Sequence, residues 1–416
     1  MIWPLPKDSK SAQQAKAGLD VASAIFSAGY ATYLVGGCVR DSLLGIPNYD
    51  VDICTAAPPE IIAEIFPEAI PHGPKRYCIF RLPHGEGFFE IAHFRAEKNC
   101  DGRHCEVSLT DDLHLDLARR DFTVNALAVS PDNREIIDDY GGLTDLSSRL
   151  LRAVGDPYLR FSEDRLRILR GIRFAAKLNF EIAKDTRLAI EHEAKNTNSL
   201  SGYRIRREIS SILQNANSAK GISLLSELGI WPHIFEEVEQ YPLDSWWERR
   251  LAALDGLNDD SKTVELSWAI LLIPELPAEG EKMRATESVI GKLGFPAAMA
   301  KKLVPLCRLT NNAIQFNKLP KADRVEIAES QYLSEIETLL SHLAPGSGFS
   351  TALHREFPGM GFSKCLTGKS LKTALSAIPD EEINSALQEL RFLELAGRIR
   401  NNQDAREFLR NWNRES

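Results

Sequence analysis

No apolar run in this chain approaches the ~20 residues that a helix needs to cross a bilayer. The longest candidates, such as Ser267–Ile273, stop far short, so no membrane partner is expected. The opening MIWPLPKDSKSAQQ lacks the basic, apolar and small-residue succession of a signal peptide. Cysteine is sparse: seven scattered residues, an odd number, form no secreted disulfide framework and predict reduced thiols in a cytoplasmic protein. Cys100, His104 and Cys105 lack a second pair of ligands, which argues against structural zinc. Tandem repeats and low-complexity tracts are missing as well. An overall basic excess is also missing, since the net charge is −8. That deficit is uneven: residues 1–150 carry −8, residues 151–235 carry +5 and residues 236–416 carry −5. A basic block between acidic neighbours can hold a polyanion locally.

What is present is an ordinary globular composition, 44% hydrophobic and 26% charged, long enough for two to four domains. The first ~150 residues alternate strand-like and helix-like periods, as an α+β head would. Ser11–Ala28 reads as an amphipathic helix, Ala31–Val35 as a buried strand, Cys38–Leu44 as a helix and Tyr49–Ile53 as a second strand. Arg76–Leu82 and Gly87–Phe94 read as strands flanking a turn at Pro83-His84-Gly85, and Asp112–Arg119 as helical. From Pro157 onward strand signals nearly vanish, and Glu163–Leu178, Lys184–Lys195, Tyr203–Leu213 and Ser218–Leu228 have helical spacing. The expected division is a head at 1–150, a helical neck at 151–240 and a helical body and tail at 241–416.

The chemistry gathers in a few stretches. LVGGCVRDSLLGIPNYDVD, Leu34–Asp52, joins a strand to Gly36-Gly37, a helix start with Arg40, and then Asp50 and Asp52. Two aspartates two apart on one strand share a face and can share a hard cation. Glycines and a helix N-terminus let backbone N–H groups reach phosphate oxygens, and a guanidinium adds charge. Glu90, in FFEIAHFR, is an acidic residue within an apolar strand and reads as a third carboxylate facing the metal. RRDFTVN, Arg119–Asn125, can hold a triphosphate and a ribose through charged forks and an amide. In RFSEDRLRILRGIR, Arg160–Arg173, Ser162 is the expected N-cap, and Asp164 and Arg167, three apart, lie on one helical face. A carboxylate accepts from an exocyclic amine while a guanidinium donates to a ring nitrogen or carbonyl. Cytosine and adenine match such a pair; guanine and uracil do not. The polar stretch Asn99–His104 reads as a mobile loop.

In order, LVGGCVRDSLLG…DVD, FEIAHFR, DGRH, RRDFTVNALA, DDYGGLTDL, DPYLRFSEDRLRILRGIRFAAKL and YRIRREI resemble the motifs of class II tRNA nucleotidyltransferases. That family comprises the CCA-adding enzymes and their poly(A) polymerase relatives. The resemblance covers about residues 20–235. It implies a polymerase β-like nucleotidyltransferase head followed by an all-helical neck, body and tail. It further implies Mg²⁺ on Asp50 and Asp52, with Glu90 beside them in catalysis. Gly36, Gly37 and Arg40 would hold the triphosphate, and Arg120, Asp121 and Asn125 the ribose and phosphates. Glu163, Asp164 and Arg167 would form the nucleobase template, supported by Arg160 and Arg170. The implied reaction adds C and A from CTP and ATP to the 3′ end of tRNA, without a nucleic-acid template. A CC-adding or A-adding partial enzyme and a poly(A) polymerase remain open alternatives, as does the oligomeric state. Asp101-Gly102-Arg103 resembles the flexible element linked to adding the last A, and Gly141–Leu146 resembles a hinge between head and neck. This chain departs from the family at Tyr203, where glutamate is usual, and at PKRYCIF after Gly73. Leu271-Leu272-Ile273-Pro274 lacks the metal ligands of an appended HD hydrolase domain, so no phosphohydrolase activity is expected.

Overall fold

In the computed structural model, residues 1–412 are described apart from 86, 99–105, 239, 244, 258–261, 276–279, 362 and 377. The chain forms two compact units, one of Met1–Asn217 with Ser223–Ile234, the other of Ser218–Ile222 with Phe235–Ser416.

The first unit is built on a mixed sheet. Helix α1 (Ser9–Ser27), capped by the Asp8 carboxylate, leads into strand β1 (Thr32–Val35). Helix α2 (Gly37–Leu44) follows at once, and β2 (Asp52–Thr55) pairs antiparallel with β1. After α3 (Pro59–Ile65) come β3 (Ile70–His72), β4 (Ile79–His84) and β5 (Gly87–His93). Strands β6 (Arg95–Lys98) and β7 (Glu106–Leu109) form a separate hairpin. Helix α4 (Leu113–Ala118) and the short strands β8 (Ala128–Val129) and β9 (Ile136–Ile137) complete the head. The main sheet has seven strands in the order β3-β4-β5-β2-β1-β8-β9, and β2 runs parallel to β5.

Alternation decides which face works. Phe80, Leu82, Phe89 and Ile91 are buried on one face, whereas Arg81, Phe88, Glu90 and Ala92 stand on the other, more open one. One row across that open face reads Arg81, Glu90, Asp52, Val35, through directly paired residues.

Beyond the head come α5 (Gly142–Ser147), β10 (Leu150–Leu151), α6 (Pro157–Glu163), α7 (Leu166–Leu178), β11 (Glu181–Ile182), α8 (Lys184–Glu193) and α9 (Gly202–Leu213). Helix α7 buries Ile168, Leu169, Ile172, Ala175 and Ala176 on one stripe and keeps its arginines off it.

Three local expectations need correction. The strand carrying the aspartates starts at Asp52, not Tyr49; Asp50 is on the exposed approach, where its N–H donates to the Asn48 side chain at 2.8 Å. That Asx-type turn competes with strand pairing. The strand expected from Arg76 starts at Ile79, because Lys75–Tyr77 forms a 3₁₀ turn and Cys78 has φ 45°. Most consequential, Glu163–Leu178 is not one helix. Asp156, followed by Pro157, caps α6, and Ser162 lies inside it, donating to the Leu159 carbonyl. Asp164 then turns extended (φ −147°, ψ 106°), and its carboxylate accepts from the Leu166 N–H at 3.1 Å. Aspartate competes with the helix for backbone donors, so the chain breaks and restarts there.

The second unit is helical among its described residues. Val264–Leu272 is buried nearly all round, with Trp268 edge-on to Phe235 and Phe295. Leu271 and Leu272, in the stretch compared above with a hydrolase signature, are fully buried. Arg250, also fully buried, lies 4.2 Å from the Tyr241 ring and donates to the Ile273 carbonyl, which satisfies the end of that helix. Leu366, Ile378, Ala386, Leu390, Ile399, Ala405 and Leu409 close a smaller core. Among the described residues no helix is long and apolar enough to cross a membrane.

Candidate active site

A cavity of about 680 Å³ opens at the C-terminal end of β1, floored by the sheet and walled by α2, α4 and α7. Its lining holds Gly36, Gly37, Arg40, Asp50, Asp52, Glu90, Arg120, Asp121, Asn125, Asp164, Arg167 and Arg170. Twelve of the fourteen residues expected from sequence therefore meet in one place. Arg160 and Glu163 do not. They line a neighbouring groove, joined at 2.7 Å.

The glycine turn is demanded by geometry. Gly36 has φ +73°, and a Cβ there would come 3.0 Å from an Arg120 nitrogen and 4.0 Å from an Asp52 oxygen. Only glycine lets the backbone pass between them.

Asp52 and Glu90 are paired across parallel strands, and Asp50 lies at the cavity mouth. The Asp52 carboxyl is raised to about 6, chiefly by burial, with Glu90 and Asp50 adding to the rise and Arg120 opposing it. Among the described residues no three His, Cys, Asp or Glu side chains already close into a metal cage. An open wall of hard carboxylate oxygens fits a divalent cation that completes its shell from water and phosphate.

Facing these acids is an arginine wall fixed by buried carboxylates. Arg40 is buried, donates to Asp41 at 2.7 Å and to the Asn125 amide oxygen, and lies 5.1 Å from the Phe174 ring. Asn125 donates to Asp121 at 3.0 Å, and Asp121 accepts from Arg170 at 2.7 Å. Asp116, 1% exposed, accepts from Arg119 at 2.6 Å and from Arg120 at 3.0 Å. Although burial opposes it, these two guanidiniums hold Asp116 below the usual carboxylate range. The Nε atoms of Arg95 and Arg120 are buried without hydrogen-bond partners among the described residues, whereas that of Arg173 pairs with Glu208 at 3.1 Å.

Asp164 and Arg167 are anchored differently from what their helical spacing predicts. Asp164 is gripped by Arg204 of α9 at 3.0 and 2.9 Å. The terminal nitrogens of Arg167 donate to Glu163, the Arg160 carbonyl, Glu97 at 3.2 Å and the Arg119 carbonyl at 2.9 Å. Four terminal N–H groups meet four acceptors, which leaves Nε–H as the uncommitted donor among these contacts. Sequence reasoning missed Asp116, Glu97, Asn48, Lys177 and Arg204. Asp116 carried a readable signal, sitting three and four residues before Arg119 and Arg120. The Asn99–His104 loop, including Asp101-Gly102-Arg103 and the Cys100, His104 and Cys105 trio, lies outside the described residues.

The Asp121 network yields a pH prediction. Burial raises its carboxyl, but Arg170, Asn125 and the Phe122 N–H win and hold it down at about 2, below its ordinary 3.8. A depressed folded value means the stabilisation is complete above the unfolded value and fades as pH falls through the folded one. That contribution is about 2 kcal/mol. Between pH 5 and pH 2, urea unfolding should therefore show the wild type losing about 2 kcal/mol more than Asp121→Asn. Equal losses would show that Asp121 is not charged in the folded protein.

Known proteins resemble this chain in sequence and fold. Residues 32–152 match the poly A polymerase head domain and residues 179–241 the probable RNA and SrmB-binding site of polymerase A. The CCA-adding enzyme of Streptococcus mutans is 31% identical over 404 residues, 93% of this chain and 94% of that protein. That of Latilactobacillus sakei is 35% identical over 330 residues, 77% of this chain and 79% of that protein. The crystal structure of the Bacillus stearothermophilus CCA-adding enzyme in complex with CTP is 26% identical, with a TM-score of 0.73 over 97% of each chain. A Thermotoga maritima CCA-adding enzyme complexed with tRNA shares the fold, with a TM-score of 0.68 and 20% identity over 97% of this chain and 96% of that one. This chain belongs to the CCA-adding enzyme family of nucleotidyltransferases.

Proposed function

We propose that this protein adds C and A from CTP and ATP to the 3′ end of tRNA, choosing each base with side chains rather than a template strand. The observation that carries this reading is one cavity holding acids on its floor, arginines on its wall and the Asp164–Arg167 pair at its side. Asp50 and Asp52 would hold Mg²⁺, with Glu90 beside them. Bound there, the metal would polarise the α-phosphate and favour the ionised 3′-hydroxyl.

The remaining work falls to the chain. Arg120 and the backbone at Gly36 and Gly37 bind phosphate oxygens, while Asp121 and Asn125 keep Arg170 and Arg40 in place and engage the ribose. Arginines fixed by buried acids cost little reorganisation when charge builds on departing pyrophosphate. Asp164 accepts from the N4 amine of cytosine or the N6 amine of adenine, and Arg167 donates to the adjacent ring nitrogen. Arg160 and Glu163 steady Arg167 from outside the cavity. We further assign residues 1–150 as catalytic head, 151–240 as the neck carrying the base reader, and 241–416 as the part that grips tRNA by shape and phosphate contacts.

The test uses tRNAs lacking CCA, ending in CC, or complete, each incubated with labelled CTP or ATP. Growth by C, C and one A, then arrest, supports the reading. Continued addition of A marks a poly(A) polymerase, and arrest after CC, or use only of CC ends, marks a partial enzyme.

A further inference from the structure

The open face of the sheet does not end at Glu90. Across the antiparallel β4–β5 pair, Arg81 stands directly opposite Glu90, and Phe88 lies two residues before Glu90 on β5, so all three project from one face. The Arg81 guanidinium lies 4.1 Å from the Phe88 ring centroid, and Phe88 is 40% exposed. The Arg81 Nε is buried without a partner among the described residues. Neither residue lines the nucleotide cavity. By strand order, Asp52 and Glu90 separate this pair from Gly36 and the arginine wall.

We infer that Arg81 and Phe88 form a platform for the 3′-terminal nucleotide of the RNA being extended. The inference rests on the nucleotidyl-transfer reading above. In-line displacement puts the attacking hydroxyl and the leaving pyrophosphate on opposite sides of the α-phosphorus. The arginines suited to pyrophosphate lie on the α2, α4 and α7 side of the carboxylates, so the hydroxyl enters from the β5 and β4 side. There a single-stranded RNA end needs a ring for its base and a cation for its phosphodiester. An exposed phenyl face backed by a guanidinium offers both. Any base has a π face, so the platform would accept an incoming end of either C or the preceding residue. That tolerance suits an enzyme whose primer terminus changes after each addition.

Initial rates with tRNA lacking CCA, varied against CTP, test the assignment in the full-length protein. Phe88→Ala should raise the KM for the tRNA about tenfold while the KM for CTP stays within about twofold. Phe88→Trp should restore the tRNA KM, and Phe88→Leu, which keeps apolar cover but no π face, should behave as the alanine variant does. Arg81→Gln should raise the tRNA KM and lessen its salt dependence. An unchanged tRNA KM in Phe88→Ala and Phe88→Leu, or an equal rise in the CTP KM, overturns the platform. Should alanine prevent folding, the leucine and tryptophan variants decide alone. Failure of the wild type to extend tRNA at all would instead remove the nucleotidyl-transfer reading.

Discussion

Asp52→Ala should cut nucleotide incorporation by at least ~10³-fold, with tRNA affinity within about twofold of wild type. The asymmetry follows from position. Asp52 is the first residue of its strand, pinned opposite Val35 and Glu90, and lines the cavity beneath Gly36. Its carboxyl is raised to about 6 by burial and by Glu90 and Asp50, so removing it relieves crowding and should not unfold the head. What disappears is the anchor for positive charge at the reacting phosphate. Asp50→Ala should fall in the same direction. Glu90→Gln should cost less, since Glu90 is proposed to sit beside the metal rather than to hold it. Single-turnover incorporation and filter binding measure the two quantities separately. Near-normal turnover in Asp52→Ala would show that the acids at the strand start are structural. A parallel loss of tRNA binding would mean that the acid supports the fold rather than the chemistry.

How much of this is legible in the sequence alone depends on how far apart the partners lie. Gly36, Gly37, Asp52 and Glu90 could be placed because strand alternation and a glycine turn are local, and the strands carrying them form nearly where expected. Asp164 was misplaced for an equally local reason. The apolar and arginine spacing of Glu163–Leu178 continues smoothly across a residue that ends one helix and starts another, and periodicity is blind to a single capping aspartate. The β6–β7 hairpin went unread because Arg95–Lys98 is polar throughout most of its length and offers no apolar period of two. Arg204 and Glu97 were out of reach altogether: they hold Asp164 from 40 residues away and Arg167 from 70. Such pairs come from tertiary packing, and a charged residue on a helix or hairpin reads as solvent-facing until its partner is placed.

The break at Asp164 alters what base selection should depend on. On a continuous helix, the Asp164–Arg167 separation would be set by helical pitch alone. Here Asp164 is in extended backbone, held by Arg204 from α9 and by the Leu166 N–H, while Arg167 is held by Glu163 and Glu97. Asp164 and Arg167 are thus set by separate anchors, which on the proposed function are the anchors of the base-selecting pair. Asp164→Ala removes the acceptor for the exocyclic amine and also the repulsion that excludes the carbonyl of uracil, so the kcat/KM ratio for CTP over UTP should fall about 10²-fold. Arg167→Ala should weaken CTP and ATP use together, and because it takes one ion-pair partner from each of Glu163 and Glu97 it should lower the unfolding midpoint as well. Arg204→Ala is the discriminating variant. It leaves the Asp164 carboxylate held by the Leu166 N–H alone, so it should erode CTP-over-UTP selectivity by about tenfold with a smaller effect on kcat for CTP. If Asp164→Ala keeps full selectivity, base choice lies elsewhere in the cavity. If Arg204→Ala matches wild type while Asp164→Ala does not, the carboxylate reads the base without help from α9.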